Sequence, residues 1–276
     1  MRSWDKPNPA KELPHSKHSV PEPLTLSIWR AASPLLQKGA TVITPPPVVP
    51  RGLPDWPAWR AFVLDCGVPE AVFVRLEILE RFRCDLEAAN ARHNLTRLTD
   101  VADFWVKHVA DSLAVGLAVP ELFTRAWHAA DVGCGAGFPL IPLAWANPAL
   151  AITGLEVNGK KTAFLATASR QLSLSNCHLL GRQAREASRL PGHQQAYDLV
   201  MARAVSEPHE LIRECRSLLN PATGGRLILF STPDALRADA LLLRREADKF
   251  DLTLSYSRDI TLPGQAGTRQ FAVASL

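Results

Sequence analysis

The stretch Asp131-Val132-Gly133-Cys134-Gly135-Ala136-Gly137-Phe138-Pro139 constrains this chain more than any other. Ahead of it, Trp127-His128-Ala129-Ala130 is short and apolar enough for a buried parallel strand. Behind it, Leu140 to Ala146 reads as a helix that starts near Pro139 and stops before Pro148. Open α/β sheets bind ligands at such strand–turn–helix junctions, outside the carboxyl ends of the strands. Three glycines at alternate positions permit a sharp turn and a close backbone approach that a Cβ would block. Glycine spacing alone fits an ordinary loop equally well, so the rest of the chain has to decide.

From Trp127 onward strand and helix patterns alternate, as they do in a parallel sheet. Strands are expected near 127–131, 151–156, 177–181, 197–202 and 225–231, with helices near 138–146, 159–173, 208–219 and 233–248. Two last strands, near 251–258 and 269–275, follow one another across Pro263-Gly264-Gln265-Ala266-Gly267, a loop of turn formers. A nicotinamide-binding sheet would normally continue with further strand–helix units. Seven strands ending in a C-terminal hairpin instead resemble the class I S-adenosylmethionine-dependent methyltransferase architecture, a Rossmann-like α/β fold.

Upstream, Asp55 is placed to cap a first helix through Trp56 and Trp59. A second starts near Pro69, carries Val72, Leu76, Leu79, Phe82 and Leu86 at helical spacing, and ends by His93-Asn94. Asp100 caps a third that runs through Phe104, Val109 and Leu113. Residues 1–50 hold 10 of the 22 prolines and no sustained periodicity. The expected organisation is a disordered proline-rich tail over 1–50, a helical segment packed on the core over 51–120, and a methyltransferase domain over 121–276. Asp5, Glu12 and Glu22 in the tail argue against a transit peptide, and the tail lacks a signal-peptide apolar core.

Charge enters at this point because a net +4 invites a nucleic-acid reading. Residues 1–50 carry six Lys/Arg against three Asp/Glu, which leaves 25 against 24 for the remaining chain. Any surface for RNA must therefore be a local patch rather than a field over the whole molecule. Five cysteines without a Cys-x-x-Cys pair speak against a zinc site or a disulfide framework and fit a reducing cytoplasm. No apolar run is long enough to span a bilayer. A cytoplasmic monomer without metal is the expectation.

The cofactor class follows from the spacing. A dinucleotide loop reads G-x-G-x-x-G because a pyrophosphate sits on the helix N-terminus. Here the glycines are Gly133, Gly135 and Gly137, with Asp131 two positions ahead. S-adenosylmethionine has no phosphate, and its sulfonium and ammonium would favour a nearby carboxylate such as Asp131. Glu156 ends the second strand, where an acid accepts ribose hydroxyls in either cofactor class. A capping or surface carboxylate is the alternative for both acids.

Several separated segments together resemble one family. They are Asn94-Leu95-Thr96, Lys107-His108-Val109-Ala110-Asp111-Ser112, Asp131 through Ala144 (Phe138 included), Leu155-Glu156-Val157-Asn158-Gly159-Lys160-Lys161 and Ala202-Arg203-Ala204. In order and spacing they are similar to the bacterial small-subunit rRNA guanine-N7 methyltransferases, the glucose-inhibited division protein B family. The resemblance covers roughly residues 58–276. It implies methyl transfer from S-adenosylmethionine to N7 of a guanine in 16S rRNA of the small ribosomal subunit.

By that resemblance Asn94, His108, Asp111 and Arg203 frame the guanine. Asp131, Gly133, Gly135, Gly137, Phe138, Glu156, Val157, Asn158 and Arg203 hold the cofactor, with the backbone amides of Gln183 and Ala184 over its adenine. The residues themselves leave alternatives open. His108 and Asp111 stand at i and i+3, so a structural His–Asp hydrogen bond is equally consistent. Asn94 could simply end a helix, Arg203 could pair with a buried carboxylate, and Lys160-Lys161 could be a solvated helix start. Arg182 could be structural or face RNA.

Guanine N7 carries a free lone pair, so the reaction requires alignment and no general base. The sequence departs from the family at Leu140, where a second glycine is usual and where a larger side chain is expected to narrow the pocket entrance. It also departs at Phe230-Ser231-Thr232 and Ser275-Leu276, where lysines are usual and phosphate contacts would be lost. Those lost lysines motivate the alternative of a non-catalytic ribosome-binding or assembly protein that keeps the fold.

Overall fold

The computed structural model describes residues 49–50, 52–53, 55–97, 100–203 and 205–276. The tail expected over 1–50 lies outside the described residues except for its last two positions, and so does Ala204. In chain order the helical leader comprises α1 (Trp56–Asp65), a 3-10 turn (Glu70–Arg75), α2 (Glu77–His93), α3 (Val101–Asp103), a π-helical segment (Phe104–Ala110) and α4 (Asp111–Leu113). The sheet region then runs β1 (His128–Val132), α5 (Leu140–Ala146), β2 (Ala151–Leu155), α6 (Gly159–Gln171), β3 (Cys177–Leu180), α7 (Ala184–Ala187), β4 (Leu199–Arg203) and α8 (Pro208–Cys215). It closes with β5 (Arg226–Ser231), α9 (Pro233–Lys249), β6 (Thr253–Tyr256), β7 (Ile260–Thr261) and β8 (Thr268–Ser275).

The strand order is β3-β2-β1-β4-β5-β8-β6. β1 to β5 are parallel, and β8 runs antiparallel to both β5 and β6. This is the class I methyltransferase arrangement. The chain works outward from β1 to β3 and then resumes beside β1 with β4, so the order reverses between β1 and β4. A ligand crevice belongs at that reversal. Within the sheet region two details differ from the sequence reading. The terminal pair is not a plain hairpin, because the two-residue β7 also pairs with the start of β8. The short α7 follows β3, held by a capping box between Gln183 and Glu186, and four residues are too few to show helical periodicity.

Alternate residues of each strand feed opposite faces of the sheet. Ile152, Met201, Ile228 and Phe271 join the leader, α5 and α6 in one cluster. Leu155, Val200, Leu229 and Ala272 join α7, α8 and α9 in the other. Burial on both faces explains why the parallel strands read as apolar runs. The leader belongs to the first cluster, joined by Trp59 Nε1 donating to Trp105 O at 2.7 Å and Trp145 Nε1 donating to Arg75 O at 2.9 Å. Its Phe82 reaches the glycine loop, 5.6 Å from the Phe138 ring centroid.

Gly137 has φ +105°, and a Cβ there would lie 2.8 Å from Leu165 and 3.0 Å from Ile141 and Phe82. The third glycine thus serves packing of the leader and α6 onto the loop. Leu140 corrects an expectation. It is fully buried and its Cδ2 fills the space over Gly154, where a Cβ would approach it to 2.8 Å. It lies inside the core and does not narrow any entrance.

Candidate active site

A cavity of about 680 Å³ opens at the carboxyl ends of β1, β2 and β4, a volume typical of ligand sites. Its floor is the glycine loop, Gly133 to Ala136 with Phe138. Gly135 forms the crest at φ +57°, and an added Cβ would meet nothing of the protein nearer than Gly133 O at 3.7 Å. The space above that backbone is open to a ligand.

Glu156 is 9% exposed and lines the cavity at the end of β2. Its Oε2 accepts from the Gly135 amide at 3.0 Å and its Oε1 from the Asn158 amide at 2.7 Å. Each carboxylate oxygen retains a second lone pair. Val157 lines the cavity and is exposed. Asn158 does not line it. Its side chain caps α6 by accepting from the amides of Lys160 and Lys161, and its backbone amide holds Glu156. Of the two lysines, Lys161 lines the cavity.

Gln183, Ala184 and Arg182 lie on the β3 side of the cavity. The Gln183 amide is already engaged by Glu186 Oε2, at 3.3 Å. Arg182 donates to Gly181 O within its own turn.

The opposite wall comes from the leader and β4. The His108 ring stacks on Phe138, with centroids 4.2 Å apart and planes 8° from parallel. Arg203, at the end of β4, donates through Nη1 to Asp111 Oδ2 at 2.8 Å and to Lys107 O at 3.3 Å. Its Nη2 lies 3.1 Å from His108 Nδ1. Guanidinium is only a donor, so Nδ1 accepts here and the imidazole proton sits on Nε2, 3.4 Å from Thr96 Oγ1. Asp111 is buried, does not line the cavity, and spends its other oxygen on Arg269 Nε at 2.8 Å. His108 and Asp111 therefore converge on Arg203 from two sides. The π-helical turn from Phe104 to Ala110 contains His108, and such turns recur at functional sites. A regular helix was the expectation from sequence.

Two further expectations are corrected. Asn94 is exposed, adopts left-handed φ 50° and caps α2 through its amide to Asn90 O. Its neighbours Leu95 and Thr96 line the cavity in its place. Asp131 is fully buried beneath the loop, where Oδ2 accepts from the Leu140 amide at 2.9 Å. It caps α5 and does not line the cavity. Burial pushes its carboxyl up to about 8, against the lowering influence of the Leu140 hydrogen bond and Arg203.

That shift fixes a pH dependence. A folded-state pKa near 8 against 3.8 means that the fold prefers the neutral acid, so the stabilisation is full below about pH 4 and lost as pH rises towards 8. Asp131→Asn cannot titrate. The stability of wild type relative to this variant is expected to fall by up to about 1.4 kcal/mol per pH unit across that window. Urea melts at pH 5 and 8 measure it, and a pH-independent difference would refute a neutral Asp131.

Thr96 and Val205 were not singled out from the sequence, and Arg269 stood out only within Arg269-Gln270-Phe271-Ala272-Val273, a segment similar to the family's. Thr96 belongs to a quoted segment in which the neighbouring Asn94 drew attention. Val205 carries no local signal, yet its Cγ2 sits 2.6 Å from where a Gly133 Cβ would be. Arg269 meets Asp111 across 158 positions of chain, a pairing that no local spacing can announce.

Residues 75–232, more than half of the chain, match the family model described as GidB, rRNA small subunit methyltransferase G. The chain belongs to this rRNA methyltransferase family. A ribosomal RNA small subunit methyltransferase G from Lactobacillus delbrueckii subsp. bulgaricus is 33% identical over 187 residues, 67% of this chain and 76% of that protein. One from Synechococcus sp. strain JA-3-3Ab is 32% identical over 215 residues, 76% of this chain and 81% of that protein. Among solved structures, a SAM-dependent methyltransferase from Aquifex aeolicus aligns at 15% identity and TM-score 0.46, covering 66% of this chain and 96% of its own. The chain is an S-adenosylmethionine-dependent methyltransferase. Its own residues fit that cofactor: an open glycine crest at Gly135 lies beside a carboxylate, Glu156, that still has acceptor capacity.

Proposed function

We propose that the protein methylates N7 of a guanine in 16S rRNA of the small ribosomal subunit. The observation that carries this reading is one cavity in which the Gly135–Glu156 cofactor cradle faces the Arg203–His108–Phe138 wall. When bound, S-adenosylmethionine supplies an electrophilic methyl carbon on a positively charged sulfur. Glu156 would accept the ribose hydroxyls, and the open Gly133–Gly135 backbone would leave room for the methionine chain. Val157, Gln183 and Ala184, which line the same cavity, would hold the adenine.

The guanine enters against the His108–Phe138 stack, with Arg203 oriented towards its polar edge. Its N7 lone pair would form the new bond to the methyl carbon that the cofactor supplies, the carbon–sulfur electrons leaving with sulfur. No proton has to be removed, which agrees with His108 Nδ1 being occupied by Arg203. Asp111 acts through Arg203, and Asp131 and Asn158 act by shaping the loop and the helix start. Rate enhancement rests on positioning. The leader, residues 51–120, contributes one wall of the site through Leu95, Thr96 and His108, and residues 121–276 contribute the cofactor side. A monomer acting in the cytoplasm, where small subunits are made, is part of this proposal.

Purified protein given 30S subunits from a strain lacking the gene, with methyl-labelled S-adenosylmethionine, is expected to place label in 16S rRNA recovered as 7-methylguanosine. Label in another nucleoside, or none, would contradict the proposal.

A further inference from the structure

Beside the reaction cavity lies a second depression, about 390 Å³, at the ends of α7 and α8. Arg185, Arg189, Arg213 and Arg216 line it, with Glu214 as the one acid. The body of the chain, residues 51–276, is close to neutral at 25 basic against 24 acidic residues. Four guanidiniums around one hollow are therefore a local concentration of charge. Among the described residues none of the four takes part in an ion pair. Arg216 is steadied instead over the Phe250 ring, 4.1 Å from its centroid. Four exposed guanidiniums facing a single acid, Glu214, concentrate positive charge where an anion can meet it.

The walls are fixed in place. Gln195 and Ala196 donate backbone hydrogen bonds to Ser217 O and Leu218 O, tying the loop after α7 to the segment after α8. Arg185 and Glu214 line this hollow and the reaction cavity alike, so the two are contiguous. Guanidinium forks match phosphate geometry in a bidentate manner.

We infer that this arginine hollow binds the phosphodiester backbone of the RNA strand whose guanine occupies the adjoining cavity. The inference rests on the rRNA reading above and adds to it the route of the strand. A base presented to the cavity must be splayed out of its stack, and anchoring the flanking phosphates holds it there. The hollow also supplies phosphate contacts in a chain that lacks lysines at 230–232 and 275–276. Ser275 in any case pairs with Arg226 at the amino end of β5, away from the cavity.

The test is the double variant Arg189→Ala/Arg213→Ala, which alters two exposed side chains and leaves Arg185 and the reaction cavity intact. Binding to 16S rRNA transcribed in vitro is measured across a salt series, beside affinity for S-adenosylhomocysteine. The expected result is RNA affinity at least about 10-fold weaker, with the log–log salt slope reduced by about 0.7–0.9 per lost contact. Affinity for S-adenosylhomocysteine stays unchanged, KM for RNA rises and kcat at saturating RNA holds. Equal RNA affinity and equal salt slope in the two proteins would overturn the inference and leave methyl transfer standing. Salt-dependent binding that weakens in the variant, from a wild-type protein that methylates no guanine, would overturn the reaction and support the hollow.

Discussion

Arg203→Ala is expected to lower methyl transfer at saturating cofactor by about 100- to 1000-fold, the loss typical when one preorganised donor is removed from a reaction centre. Arg203 is both exposed to the cavity and held on three sides, by Asp111, Lys107 O and His108. Its removal takes away the guanidinium directed towards the guanine edge and frees the His108 ring that stacks on Phe138. The fold should survive. Asp111 keeps its second partner, Arg269, so the buried carboxylate is not stranded and the cost is about 1–3 kcal/mol. Arg203→Lys should not rescue activity, because an ammonium on a flexible stem cannot span the same three acceptors. Single-turnover rates with 30S subunits, read beside a thermal melt, separate the two effects. A wild-type rate in a folded Ala variant would remove Arg203 from the site.

Glu156→Gln is expected to weaken cofactor affinity by about 10- to 100-fold, the equivalent of losing charged hydrogen bonds worth about 1.5–3 kcal/mol. Both carboxylate oxygens already accept backbone amides, from Gly135 and from Asn158. A carboxamide has one acceptor oxygen, so its NH2 must face one of those donors. The substitution therefore loosens the glycine crest as well as removing a ribose acceptor. Calorimetry with S-adenosylhomocysteine measures the loss. RNA affinity should not change, since the arginine hollow lies outside the altered contacts. Unchanged cofactor affinity would show that the carboxylate serves only the loop.

The sheet was legible because β1, β2, β4 and β5 are buried on both faces and read as mostly apolar stretches between helices. The glycine loop and Glu156 were legible because chain reversal at the end of a strand leaves a local mark. The relation of His108 to Asp111 was not. Their spacing suggests a shared helix face, whereas within and beside the π-helical turn both side chains converge on Arg203, which lies more than 90 positions further along the chain. Asp131 and Asn158 occupy suggestive positions, yet their side chains cap α5 and α6. Asn94 and Leu140 show the same limit: one terminates α2, the other fills space over Gly154. A motif marks a neighbourhood, but tertiary packing decides which of its members faces the ligand. The arginine hollow was invisible for that reason, its walls coming from two helices that meet only in the fold.

Where N7-methylguanine appears in 16S rRNA tests guanine methylation by this protein most directly. Borohydride reduction and aniline cleavage break the chain at such a residue, and primer extension maps the break. The parent strain should show a cleavage that disappears when the gene is deleted. Wild-type protein should restore it and Arg203→Ala should not. Undiminished cleavage at every N7-methylguanine of 16S rRNA in the deletion strain would contradict the account.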